Sequence, residues 1–175
     1  NAILYTSPDL MDGLNVTLSY NPQGSGAASE SGYGFNYTGV EGLSLSYANT
    51  DVESGTATSS GDNTVIKVSY AYGPVTVSYS EMENEVAAAA NSKDKVSESY
   101  AVSYTVSDEL SLTYGSETHD RGDTAVDMEI EGFSVAYTTG GMTISAAMQS
   151  MDDGNFATGT NNDVDYWALG ASFAF

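Results

Sequence analysis

The feature that most constrains this chain is an alternation. Leu14-Asn15-Val16-Thr17-Leu18-Ser19-Tyr20 puts an apolar or aromatic residue at every second position, with a hydroxyl or amide between. Leu43-Ser44-Leu45-Ser46-Tyr47, Val75-Thr76-Val77-Ser78-Tyr79 and Leu110-Ser111-Leu112-Thr113-Tyr114 repeat the pattern. Successive side chains of a strand point to opposite faces, so each segment predicts a ribbon with one apolar and one hydrophilic side. No window carries the i, i+3, i+4, i+7 apolar spacing of an amphipathic helix. The Ala run at 87–90 is the one helix-friendly piece, and it sits in a polar, acidic stretch. The fold class expected is all-β.

Eleven strands are expected, near residues 2–6, 14–20, 33–38, 43–49, 64–72, 75–82, 97–105, 110–117, 130–138, 142–150 and 164–175. Their connectors alternate in length. Short ones at Ser7–Gly13, Gly39–Gly42, Gly73–Pro74, Val106–Glu109 and Thr139–Gly141 interleave with long ones at Asn21–Gly32, Thr50–Asn63, Glu83–Val96, Thr118–Glu129 and Met151–Asp163. Short turns at one rim and long loops at the other are the pattern of an antiparallel up-and-down transmembrane β-barrel. The whole of residues 1–175 is read as one such domain.

The aromatic residues support a bilayer. All 13 Tyr fall at strand ends, in two rows. Tyr20, Tyr47, Tyr79 and Tyr114 close strands that run to a long loop, and Tyr33, Tyr100 and Tyr166 open strands on that side. Tyr5, Tyr37, Tyr70, Tyr72, Tyr104 and Tyr137 stand at the short-turn ends. Phenolic rings, apolar in body and hydrogen-bonding at the tip, prefer membrane–water interfaces, so two rows read as two girdles. The opposite face carries Asn15, Thr17, Ser19, Ser44, Ser46, Ser69, Thr76, Ser78, Ser103, Ser111, Thr113 and Ser145. A dry core would leave some of these hydroxyls unsatisfied at about 1–3 kcal/mol each, whereas a water-filled lumen satisfies them all. Lys67, between Ile66 and Val68, is read as the one basic residue facing that lumen; Lys93, Lys95 and Arg121 are read as solvated loop residues.

Composition removes other functions. The chain has 24 Asp+Glu and 4 Lys+Arg, a formal net charge of −20, which leaves almost no cations for neutralising nucleic-acid phosphates. There is no Cys for a thiolate or a Cys-ligated zinc. His119 is the only histidine and is expected in a long loop, so the wall cannot assemble a Ser-His-Asp triad, and no enzyme is expected. Arg121-Gly122-Asp123 spells an adhesion tripeptide, a three-residue match that arises readily by chance. Asp152-Asp153-Gly154-Asn155 lacks the spacing and terminal Glu of a calcium-binding helix-loop-helix.

Both ends carry a family resemblance. The last strand places Trp167, Leu169, Ala171, Phe173 and Phe175 on one face, which resembles the C-terminal signal by which Gram-negative outer-membrane barrels are recognised and inserted. The opening Asn1-Ala2-Ile3-Leu4-Tyr5-Thr6-Ser7-Pro8-Asp9-Leu10, then Gly13 and an alternating strand, resembles the strand after the constriction loop in trimeric general diffusion porins. That family's barrels have 16 strands. Many members carry Arg where Leu4 stands here, and this departure from the pattern counts against the basic contribution that the resemblance would imply from this strand. Strand arithmetic points the same way: the first and last strands run in the same direction and eleven is odd, whereas bacterial single-chain barrels have even counts. The chain is therefore expected to be the C-terminal two-thirds of such a porin, without its first strands and constriction loop.

The resemblance implies a passive outer-membrane channel for ions and small hydrophilic solutes. It also implies a homotrimer in contact with membrane lipid and lipopolysaccharide, delivered to the barrel-assembly machinery through the Phe175 strand. Nineteen of the acids lie on or near the long loops, which predicts cation preference at that mouth. Among them, Asp120, Asp123, Asp127, Asp152 and Asp153 have the oxygen chemistry to hold Ca²⁺ or Mg²⁺, the alternative being a solvated acidic surface. No cofactor motif is present. The competing reading is a small closed barrel of eight or ten strands that acts as an anchor or adhesin through its acidic loops.

Overall fold

The computed structural model describes residues 2–22, 29–54, 60–87, 94–159 and 161–174. Its strands are β1 (Ile3–Thr6), β2 (Leu14–Asn21), β3 (Ser29–Tyr37), β4 (Leu43–Glu53), β5 (Gly61–Tyr72), β6 (Val75–Val86), β7 (Lys95–Thr105), β8 (Leu110–Arg121), β9 (Met128–Thr139), β10 (Met142–Asp152) and β11 (Val164–Phe173). They form one sheet in sequence order, every neighbouring pair antiparallel, with β1 and β11 as its edges. The chain is an all-β antiparallel up-and-down wall. Phe175 lies outside the described residues, as does Lys93.

The strand centres lie where alternation predicts them, but their long-loop ends run further. β4 continues to Glu53, β6 to Val86 and β8 to Arg121, while β3 begins at Ser29 and β7 at Lys95. Beyond the tyrosines acids take over the aromatic parity and isolated apolar residues such as Met82 and Ile130 fall on the other face, so the mid-strand contrast that marks a strand is lost although backbone pairing continues. At the other rim the turns are tight. Thr139 pairs with Met142 across a two-residue hairpin, with Gly140 at φ 56° and Gly141 at φ 81°. Two successive positive φ values are what a type I′ turn requires, and glycine reaches them without strain.

The sheet has no core of its own. Among the described residues no apolar side chain is buried, and Trp167 and Leu169 are 75% and 72% exposed. A soluble domain does not leave so much contiguous apolar surface in water. A bilayer covers such a face, provided the backbone polar groups are paired between strands, as they are everywhere between β1 and β11 except along the outer edges of those two strands.

Candidate pore wall

Cross-strand register assigns every strand residue to one of two faces. Leu14, Val16 and Leu18 pair with Tyr37, Phe35 and Tyr33, and the same face carries Leu43, Leu45 and Tyr47 on β4 and Val68 and Tyr70 on β5. It continues through Val77, Tyr79, Tyr100, Val102, Leu112, Tyr114, Phe133 and Val135 to Trp167, Leu169 and Phe173. Tyr5, Tyr20, Tyr104 and Tyr137 also lie on it. Tyr166 differs from the other tyrosines. It pairs with Gln149 and stands on the opposite face, because the alternation of β11 gives the outer side to Trp167.

The tyrosine tips point away from the apolar band. Tyr79 Oη donates to Glu81 Oε2 at 2.5 Å and to Glu98 Oε1 at 3.2 Å on the long-loop side. Tyr137 Oη donates to Glu109 Oε2 at 3.0 Å on the short-turn side. Ring contacts between Tyr79 and Tyr100 at 4.9 Å and between Phe35 and Tyr47 at 5.5 Å tie the upper row across strands. Phenols aimed outward from both edges of an apolar band are the arrangement of two interfacial girdles.

The second face is made of small hydroxyl and amide groups. Asn15 and Thr17 on β2, Ser44 and Ser46 on β4, Lys67 and Ser69 on β5, Thr76 and Ser78 on β6, Ser103 on β7, and Ser111 and Thr113 on β8 share it through successive pairings. Short side-chain bonds cross it: Asn36 Nδ2 donates to Asn15 Oδ1 at 3.3 Å, Ser46 Oγ to Asn36 Oδ1 at 2.7 Å, and Ser103 Oγ lies 2.9 Å from Thr113 Oγ1. Leu4 occupies this face too, opposite Ser19, and is 70% exposed.

Charge divides sharply between the faces, and here loop assignments made from the sequence are corrected. Lys95 and Arg121 are not loop residues: they pair with each other across β7 and β8 on the hydroxyl face, so Lys67 is not the only cation there. His119 is likewise in β8, its Nδ1 2.7 Å from Ser97 Oγ and its Nε2 2.9 Å from Glu117. All three described strand cations thus face the hydroxyl side, where Glu30 and Glu117 are the only strand acids. The other twelve strand acids continue the aromatic face above its upper tyrosines, among them Asp51 opposite Asp62, Asp62 opposite Glu85, and Glu81 opposite Glu98. The strands' extension past the tyrosines fixes this parity, and that extension is what the polar sequence conceals.

The acids considered for metal binding separate in the same way. Asp120 lies on β8 and is hydrogen-bonded to Asp127, whose carboxyl is pushed above the usual range by burial and by Asp120. Asp123 is paired with Arg121, and the Arg121 guanidinium also covers the Phe156 ring at 4.5 Å. Asp152 ends β10, and the backbone N–H of Asp153 donates to Asp163 Oδ1 at 3.1 Å. Among the described residues no group of three or more His, Asp or Glu is arranged to hold a metal ion.

A wall with a tyrosine-bounded apolar face and a hydroxyl face defines the outer-membrane barrel class. The Gram-negative porin family model matches residues 1–175, and the chain belongs to that family. Gram-negative porins reside in the outer membrane and are channels rather than enzymes, and this chain is an outer-membrane protein. A comparison with curated protein sequences finds no match. Among solved structures, a porin refined at 1.8 Å resolution is similar at 18% identity and TM-score 0.74, over 98% of this chain and 60% of that one. The loop L8 deletion mutant of OmpT from Vibrio cholerae is similar at 17% identity and TM-score 0.70, over 98% and 62%. OmpT is also found in a trimer form, at 18% identity and TM-score 0.57, over 99% and 60%. An anion-selective porin from Comamonas acidovorans is similar at 15% identity and TM-score 0.66, over 98% and 56%. The chain therefore spans about 60% of the length of these porins.

Proposed function

We propose that this chain forms most of the wall of a passive diffusion channel for ions and small hydrophilic solutes. One observation carries the reading: among the described residues the sheet buries no apolar side chain, yet its mid-strand segments keep large apolar residues on one face and hydroxyls on the other. Such a wall suits lipid on one side and water on the other, with lumen width and wall charge setting what passes. In this reading Lys67 and the Asn, Ser and Thr residues of the hydroxyl face line the pore, and the outer face meets lipid and lipopolysaccharide. The protein assembles as a homotrimer, as OmpT does in its trimer form. The barrel-assembly machinery receives it through the strand that ends at Phe175. The formal charge of −20 favours cations at the mouth in dilute salt. An anion-selective porin shares the fold, so the fold leaves the sign of selectivity to each chain's own charges.

Liposome swelling tests the channel. Vesicles carrying the full-length protein should swell at a rate that falls with solute size when diluted into small sugars or amino acids. Assembled protein that gives no swelling contradicts the channel and favours an anchor or adhesin.

A further inference from the structure

Lys67 stands in a distinctive setting on the hydroxyl face. Its row across the sheet reads Ser46, Lys67, Ser80, Ser99, and the row beneath reads Ser44, Ser69, Ser78. Neighbouring strands are about 4.8 Å apart, so hydroxyl-bearing positions flank Lys67 on both sides within one or two strand spacings. Lys67 and these six serines line one concavity of about 350 Å³ whose own lining holds no acid; the row's next residue beyond Ser99 is Glu117. Among the described residues Lys67 has no ion-pair partner, in contrast to Arg121, which is held by Asp123. Ser44, Ser69, Ser78, Ser80 and Ser99 make no side-chain hydrogen bond among the described residues, and their O–H groups are free to donate. A cationic side chain without an ion-pair partner, set among serines whose O–H groups are free and three strands from the row's nearest acid, Glu117, matches a small oxyanion: one charge to balance and several oxygens to receive hydrogen bonds.

We propose that Lys67 and its serines form an anion station on the pore wall, which transiently holds small carboxylate- or phosphate-type solutes as they pass. The proposal rests on the channel reading. It gives the pore two electrostatic scales. The acids of the aromatic face act at long range in dilute salt, while the station acts only on ions that touch the wall. Screening to about 3 Å at 1 M suppresses the first and leaves direct hydrogen-bonded contact.

The test is planar-bilayer recording of the full-length protein and its Lys67→Gln and Lys67→Arg variants, with inorganic phosphate and acetate as probes. Lys67→Gln should lower the chloride-to-potassium permeability ratio by about two- to fivefold, the screened Boltzmann factor of a unit charge at contact distance in water. The wild type should show a dose-dependent current reduction by phosphate and acetate, and Lys67→Gln should abolish it. Lys67→Arg should keep both properties. Unchanged permeability and unchanged probe response in a conducting Lys67→Gln channel would overturn the station and leave the channel reading intact. A correctly assembled wild type that passes no current would overturn both.

Discussion

Leu45 and Ser46 are adjacent in sequence and opposite in environment. Leu45 pairs with Tyr37 and Val68 on the aromatic face, and Ser46 with Asn36 and Lys67 on the hydroxyl face. Val77 and Ser78 repeat the contrast one hairpin later. A cation at mid-membrane on a lipid-facing position costs about 2–4 kcal/mol, whereas a lumen position hydrates it. Leu45→Arg or Val77→Arg should therefore reduce the heat-modifiable, folded fraction in outer-membrane preparations, while Ser46→Arg or Ser78→Arg should assemble and alter conductance. Equal assembly of the two pairs would contradict the face assignment. At this scale the sequence is highly legible, because residue type and side-chain parity coincide along the mid-strand segments. Tyr166 shows the limit: one aromatic residue gives no parity by itself, and Trp167 beside it takes the outer side.

Among the elements, the hairpins divide into tight turns at one rim and longer excursions at the other. The two-residue turn at Gly140–Gly141 and the short turn around Asp108 belong to the first rim, and the segment after Asp152 belongs to the second. Barrels of this class keep short turns periplasmic and long loops outside. A cysteine introduced at Thr158 should react with a membrane-impermeant maleimide on intact cells, and one at Asp108 should react only after the outer membrane is opened. The reverse pattern would invert the orientation. Strand number and order could be read from alternation and connector length, but strand length could not. β6 and β8 continue for several residues beyond Tyr79 and Tyr114 without the mid-strand alternation: β6 puts acids on the aromatic side and Met82 and Val86 on the other, and β8 is polar on both faces. There Lys95, His119 and Arg121 look like loop residues in sequence, and only cross-strand pairing shows which side each one takes.

For the molecule as a whole, the consequence is a partition of charge: strand cations on the hydroxyl face, and all but two strand acids on the face that continues the aromatic band. Two carboxyls at this rim, Glu83 on β6 and Asp127 just before β9, hold their protons more tightly than usual. Burial, then Glu85, Glu81 and Asp94, push Glu83 above the usual carboxylate range, and burial with Asp120 does the same for Asp127. A carboxyl with a raised pKa gains its proton earlier as pH falls, so the rim should start to lose negative charge above the ordinary range near pH 4. Cation preference in dilute salt should therefore begin to weaken, as pH is lowered, before the ordinary carboxylate range is reached. A reversal potential constant to pH 4 would show that these groups do not set it.

The channel itself is tested most directly by single-channel recording of the full-length protein at two salt concentrations. The account predicts steady conductance, with reversal potentials favouring cations at 0.01 M, where screening reaches about 30 Å, and little preference at 1 M, where it reaches about 3 Å. Properly assembled protein that gives no steady conductance at either concentration would contradict it.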